Sequence, residues 1–195
     1  MRVRVAILIT SLMLIQGCQL APDNLSAHVA LTKDVQLQLL KHWPHTPVQQ
    51  LHQVTWSHPA YMPRTMLVTS ALDVSRVLLI GLSPLGQELW RVKMTPGSPL
   101  QTSGLEPFNQ PQLAKAVVAD MQLHQWPVPS LQQQLKGGYI NQISNKRTVI
   151  NAKGDVIWLS TVDVGGVVIE NIAGGYTLRV VLLEELKLEQ AEQDH

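Results

Sequence analysis

The stretch MLVTSALDVSRVLLIGLSPLGQELWRVKM, Met66 to Met94, decides the fold class. Gln87 to Met94 alternates cleanly, with Trp90, Val92 and Met94 on one side and Leu89, Arg91 and Lys93 on the other. That period of two is the mark of a strand. Arg76 to Leu82 is apolar on both faces, and Met66, Val68 and Leu72 share a face of the segment before it. The links are only Asp73-Val74-Ser75 and Ser83-Pro84-Leu85-Gly86. A parallel crossover takes a dozen residues or more, so such links force antiparallel neighbours.

Working outward, Arg64 to Leu72 also carries Leu67 and Ala71 on its second face, and Val48 to Trp56 adds a strand with Val48, Val54 and Trp56 on one side. Val29 to Trp43 reads as a helix from Leu31, Val35 and Leu39, stopped by Pro44; Val35 to Leu39 also alternates as a strand would. Downstream, Thr95 to Asn109 is a loop rich in Pro, Gly and Ser. Asn109 or Gln110 caps a helix that has Pro111 in its first turn and runs to about Trp126, where Pro127 ends it. Pro129-Ser130 opens a short second helix through Leu135, broken by Gly137-Gly138. Four more strands follow: Arg147 to Ala152, Asp155 to Thr161, Gly166 to Ile172 and Tyr176 to Leu183. The turns between them are marked by Lys153-Gly154, Gly165-Gly166 and Gly174-Gly175. The polar tail after Glu184 reads as a frayed helix or disorder.

This order predicts a mainly β (α+β) domain: a curved antiparallel sheet forming an open half-barrel, with helices covering its concave face. Sheets that expose one face to water alternate, whereas several strands here are apolar on both sides. The concave face is therefore expected to be covered, its lining either packed solid or left as a cavity. Candidate lining residues are Met66 and Val68, Leu78 and Ile80, Trp90 and Val92, Ile157 and Leu159, and Leu178 and Val180. Trp126 is a candidate as a ligand stacker or, alternatively, a core plug. Which strand face is concave does not follow from two-sided apolar strands.

The first 17 residues read as a signal peptide. Arg2 and Arg4 precede an apolar run from Val5 to Ile15, and Ile15-Gln16-Gly17-Cys18 follows. That run is too short for a membrane span of roughly 20 residues. The layout resembles a bacterial lipoprotein signal, which implies lipidation of Cys18 and cleavage just before it. Cys18 is the only cysteine of the chain, so no internal disulfide competes for it. Residues 18–28 are then a lipidated tether, 29–184 a single domain and 185–195 a polar tail. No aspartate follows the cysteine; Gln19 stands there, which favours the outer membrane in the pattern of enteric bacteria. Without Arg2 and Arg4 the chain holds 13 basic and 14 acidic residues, a formal charge of −1, so nucleic acid is not an expected partner. Charged residues make up 15% of the chain against a typical ~25%, and glutamine takes their place on much of the surface.

No catalytic signature is present: no Gly-x-Ser-x-Gly elbow, no phosphate loop and no cysteine after Cys18. The residues call for no cofactor. His42 and His45 flank Trp43-Pro44 without a third ligand close in sequence, so they read as loop histidines rather than a zinc site. Asp120 and His124 are spaced i,i+4 within the apolar stripe of Leu113, Val117 and Met121. A charge there must find a partner or shift its pKa. The two readings are an acid–base pair in a cavity and a structural tie, in which the carboxylate holds the imidazole, a backbone amide or an arginine such as Arg147.

Three segments resemble the DUF3261 lipoprotein family. Gly81-Leu82-Ser83-Pro84-Leu85-Gly86-Gln87-Glu88-Leu89 is similar to its strand–turn–strand motif. Leu113 through Ala119-Asp120-Met121-Gln122-Leu123 to Trp126-Pro127 resembles its helix motif, and Glu170-Asn171 with Gly175-Tyr176-Thr177-Leu178 its ending. The resemblance spans about Val48 to Leu183. It implies an uncharacterised bacterial lipoprotein, often encoded beside genes for aryl polyene lipids, with a shape similar to the LolA and LolB lipoprotein carriers. Those are half-barrels whose helices lie over an apolar acyl-chain cavity. LolB also carries a protruding leucine in a turn; Leu85 lies in a turn here, where a leucine more often folds back on the sheet. The expected function is non-enzymatic binding or transfer of an acyl-type ligand (lipid, aryl polyene lipid or lipoprotein) at the periplasmic face of the outer membrane. The alternative is an adaptor lipoprotein docking an envelope export or assembly protein. An acyl-group enzyme using Asp120 and His124 is the third reading.

Overall fold

A computed structural model describes residues 27–187. The expected Cys18 anchor and most of the tail lie outside that range. Strands β1 (His28–Ala30), β2 (Gln36–Gln38), β3 (Val48–His58), β4 (Tyr61–Asp73), β5 (Arg76–Leu82), β6 (Glu88–Met94) and β7 (Gln101–Gly104) come first. Helices α1 (Pro111–Gln125) and α2 (Val128–Gln132) follow. Then come β8 (Leu135–Lys136), β9 (Gly138–Ile143), β10 (Lys146–Asn151), β11 (Val156–Asp163), β12 (Gly166–Asn171) and β13 (Tyr176–Lys187).

Ten strands form one antiparallel sheet in the order β7-β6-β5-β4-β3-β13-β12-β11-β10-β9. The two halves of the chain each make a meander, and β13 joins them by returning to β3, with Lys187 opposite Val48 and Thr177 opposite Ser57. The edge strands β7 and β9 do not pair, so the sheet is an open half-barrel. Register breaks after Gly81, Val149 and Leu182 bend it, as β-bulges do. α1 lies in the concavity. Its Ala114, Val118, Ala119 and Leu123 are buried in one core with Leu79, Val92, Met94, Trp126 and Trp158.

Three expectations need correction. Val29 to Trp43 is not a helix. Thr32 Oγ1 accepts from the backbone N–H groups of Asp34 (3.2 Å) and Val35 (3.0 Å), closing a turn, and β1 and β2 flank it in a small sheet with β8. Val35, Leu37 and Leu39 are buried on one side, so the period of two prevailed over the period of four. The loop after Met94 contains β7, whose Gln-Thr-Ser-Gly has no apolar residue to signal a strand. Residues 185–187 continue β13, held by pairing with Gln50, Gln49 and Val48 rather than fraying.

Candidate functional site: an apolar cavity beneath helix α1

Only part of the concavity is filled. Between α1 and strands β3 to β6, β12 and β13 lies a cavity of about 350 Å³. Its walls follow from strand parity. Trp56, Val54 and His52 come from β3, Arg64, Met66, Val68 and Ser70 from β4, and Leu178 and Val180 from β13. The same register places them together, since His52 opposes Val68 and Val54 opposes both Met66 and Val180. Leu113, Val117 and Met121 close it from above with Phe108. α1 thus has two faces: the small buried one packs solid, and the stripe read from sequence roofs the space.

The cavity has a direction. At one end Tyr61 is 61% exposed, Arg64 is exposed, and the Trp56, His58 and Tyr61 rings cluster, with Trp56 and His58 stacked at 5.7 Å. Six residues further along β4, roughly 20 Å at ~3.3 Å per residue, Ser70 is buried. Here the C-terminal turn of α1 brings His124 and Gln125 to the wall beside His52.

Of the residues expected to line the concavity, Met66, Val68, Trp90, Leu178 and Val180 line the cavity. The others do not. Leu78 and Ile80 fall on the convex face, because β5 buries Val77, Leu79 and Gly81 instead. Gly81 is required there: the Trp90 indole lies against it, and a Cβ would overlap the ring. Val92 is on the concave face but deep in the packed core. On β11 the concave side carries Trp158 and Ser160; Leu159 points away, and Ile157 is the extra residue of the bulge between the Val149–Trp158 and Ile150–Val156 pairs. Trp126 is fully buried, donates from Nε1 to the His42 carbonyl (3.1 Å) and packs edge-on against Trp43 at 4.8 Å. It is a core plug.

Asp120 and His124 are not bonded as a pair. The Asp120 carboxylate accepts from Trp158 Nε1 (2.8 Å), Asn171 Nδ2 (3.3 Å) and the Tyr176 hydroxyl (2.5 Å). Burial nevertheless raises its pKa to about 6, the donors opposing. The same burial, with the neighbouring carboxyl, pushes the Tyr176 phenol up. His124 meets Ser160 Oγ through Nδ1 at 3.3 Å, and burial, then Arg147 and His52, lower its pKa to about 4. Ser160 is buried and does not reach the cavity wall. Arg147 does not meet the carboxylate. Its Nη1 donates to the Leu123 and Trp126 carbonyls at 2.7 and 2.8 Å, closing the end of α1. Gln122 holds both the N–H and the carbonyl of Leu40 through its amide. The polar residues of the α1 motif are therefore clamps: Asp120 grips the β12–β13 hairpin, and Gln122 and Trp126 grip the segment before β3.

No three His, Cys, Asp or Glu residues gather as metal ligands among the described residues, and none of its helices is long and apolar enough to cross a membrane. His45 packs edge-on against Trp43 at 4.9 Å. Leu85, expected to fold back, is 96% exposed instead, in the turn where Gly86 takes φ +83°.

His52, Ser70 and Gln125 of the wall carry no apolar signal in the sequence that would mark them as lining. Val54 and Trp56 were legible from their parity in β3.

Two solved structures are similar at the level of overall shape. A LolA superfamily protein from Nitrosomonas europaea matches with a TM-score of 0.42 and 8% identity, covering 78% of this chain and 90% of that one. A putative outer membrane lipoprotein-sorting protein domain from Vibrio parahaemolyticus matches with a TM-score of 0.42 and 8% identity, covering 76% and 88%. No curated protein sequence matches. The family model described as a protein of unknown function (DUF3261) matches residues 47–184, and the chain belongs to that family.

Proposed function

We propose that this protein is a non-enzymatic binder of one acyl-type chain, tethered through lipidated Cys18 at the periplasmic face of the outer membrane. The observation that carries the reading is the cavity itself. At about 350 Å³ it lies within the ~300–1,000 Å³ range of small-molecule sites, and aliphatic and aromatic side chains dominate its walls. Burying a methylene is worth about 0.8 kcal/mol, so a ten-carbon stretch contributes ~8 kcal/mol before the costs of association. That gives affinity in the micromolar range or weaker, loose enough to release cargo. A tether beside a bilayer places such a site where apolar cargo is delivered. The reading is non-enzymatic because Asp120, although on the cavity wall, is engaged by three donors away from His124, and Ser160 is buried off the wall.

The experiment is native mass spectrometry and lipid extraction of the full chain carrying Cys18→Ser, with membrane fractionation beside the unaltered chain. One apolar ligand per protein, and release from the membrane fraction on substitution, are expected. Empty protein that binds no added fatty acid overturns the binding reading. Unchanged fractionation overturns the anchor.

A second reading, an adaptor for an envelope export or assembly protein, is favoured by the exposed Leu182, Leu183 and Leu186 of β13. A stoichiometric protein partner lost on Leu183→Glu, with an empty cavity, would support it instead.

A further inference from the structure

The blind end of the cavity is polar in a way that the proposed function does not use. Ser70 is 4% exposed, and its hydroxyl has no hydrogen-bond partner. Gln125 Oε1 is buried and also unpartnered. Both residues line the cavity with His52 and His124. Gln50, opposite Ser70 across the β3–β4 pair, carries a third such oxygen, Oε1. Among the described residues four buried side-chain oxygens lack a partner; Ser70 and Gln125 carry two on this wall, and Gln50 carries a third opposite Ser70 in the sheet. Buried polar groups are nearly always satisfied, each orphan costing about 1–3 kcal/mol, so a cluster of them facing a cavity marks a ligand's polar group.

The donor and acceptor pattern states what that group is. A carboxamide oxygen only accepts, and a serine hydroxyl does both. The complement is a donor. Arg147, whose charge bears on His124, directs its donors to the Leu123 and Trp126 carbonyls and to Gln142. Burial lowers the pKa of both imidazoles and so favours their neutral forms, with Glu185 opposing at His52. The Glu185 carboxylate, which accepts from Gln50 Nε2 at 2.8 Å and whose charge bears on His52, disfavours an anion here.

We propose that the blind end recognises an uncharged hydrogen-bond-donating terminus, the hydroxyl of an alcohol or phenol, at the buried tip of the ligand, through Ser70 and Gln125. This rests on the reading of the cavity as an acyl-chain site and adds the chemistry of the ligand's inner end. The apolar walls give affinity, and the tip gives selectivity.

The test compares two probes of equal length, 1-dodecanol and 1-methoxyundecane, titrated into the full chain carrying Cys18→Ser and followed by tryptophan fluorescence, since Trp56 and Trp90 line the cavity. The ether accepts but cannot donate. The alcohol is expected to bind roughly tenfold tighter. Ser70→Ala and Gln125→Leu are each expected to bring the alcohol-to-ether affinity ratio most of the way to one. Equal binding of the two probes, or a preference that survives both substitutions, overturns the inference and leaves the acyl-binding reading standing. Binding of neither probe overturns both.

Discussion

Asp120 and His124 sit one helical turn apart in α1, and burial shifts them in opposite directions, which makes their effect on stability separable by pH. The Asp120 carboxyl has a folded-state pKa of about 6 against an ordinary 3.8. Between those values the folded protein holds a proton that the unfolded chain has lost. Its stabilising contribution is full below pH 3.8 and is lost as pH rises through 6, a change of about 3 kcal/mol at ~1.4 kcal/mol per unit. His124 has a folded-state pKa of about 4 against 6.5. Between those values the unfolded chain holds the extra proton, so stability is full above 6.5 and falls by about 3 kcal/mol as pH drops to 4. In the unaltered protein the two nearly offset between pH 4 and 6. Asp120→Asn removes one of them and His124→Gln the other. Urea unfolding at half-unit steps from pH 4 to 7.5 reads the difference between each variant and the parent. Relative to the parent, Asp120→Asn is expected to gain about 3 kcal/mol in going from pH 4 to 7, and His124→Gln to lose about as much. Parallel curves for parent and Asp120→Asn would refute the claim that burial dominates over the three donors at that carboxyl.

Other outcomes follow from the same contacts. Val68→Trp is expected to fill the cavity and abolish fatty-acid binding by fluorescence titration, at a stability cost of about 1–3 kcal/mol. Gln122→Ala strands both the N–H and the carbonyl of Leu40, and urea unfolding is expected to show a loss of about 2–4 kcal/mol. Gly81→Ala pushes against the Trp90 ring; a loss of about 1–3 kcal/mol with altered tryptophan emission is expected, and unchanged emission would contradict the packing.

Strand parity was readable wherever one face was polar, as in β6, and the short links fixed the antiparallel order around it. It failed where both faces are apolar. In β5, Leu78 and Ile80 look as core-like as Val77 and Leu79, and only the Gly81–Trp90 contact, which is tertiary, says which pair faces inward. In β11 the bulge at Ile157 shifts the parity midway, and nothing in Val156 to Asp163 announces it. The Val29 to Trp43 segment carried both periods, and the choice between them came from the pairing of β1 with β2 and from Thr32. The α1 stripe located the roof of the cavity, with Asp120 within it, yet the partners of Asp120 come from residues 38 to 56 positions away. The polar blind end was illegible for the same reason: Ser70 and Gln125 become neighbours only when the sheet curves beneath α1.

We propose that an acyl chain occupies the space between α1 and strands β3, β4 and β13. The most direct test is photo-crosslinking of the full chain with a twelve-carbon fatty acid bearing a diazirine at mid-chain, followed by mapping of the labelled residues. Labels confined to wall residues such as Val54, Met66, Met121, Leu178 and Val180, and suppressed by excess unlabelled fatty acid, are expected. Labels on the convex face at Leu78 or Ile80, or none that competitor suppresses, would contradict it.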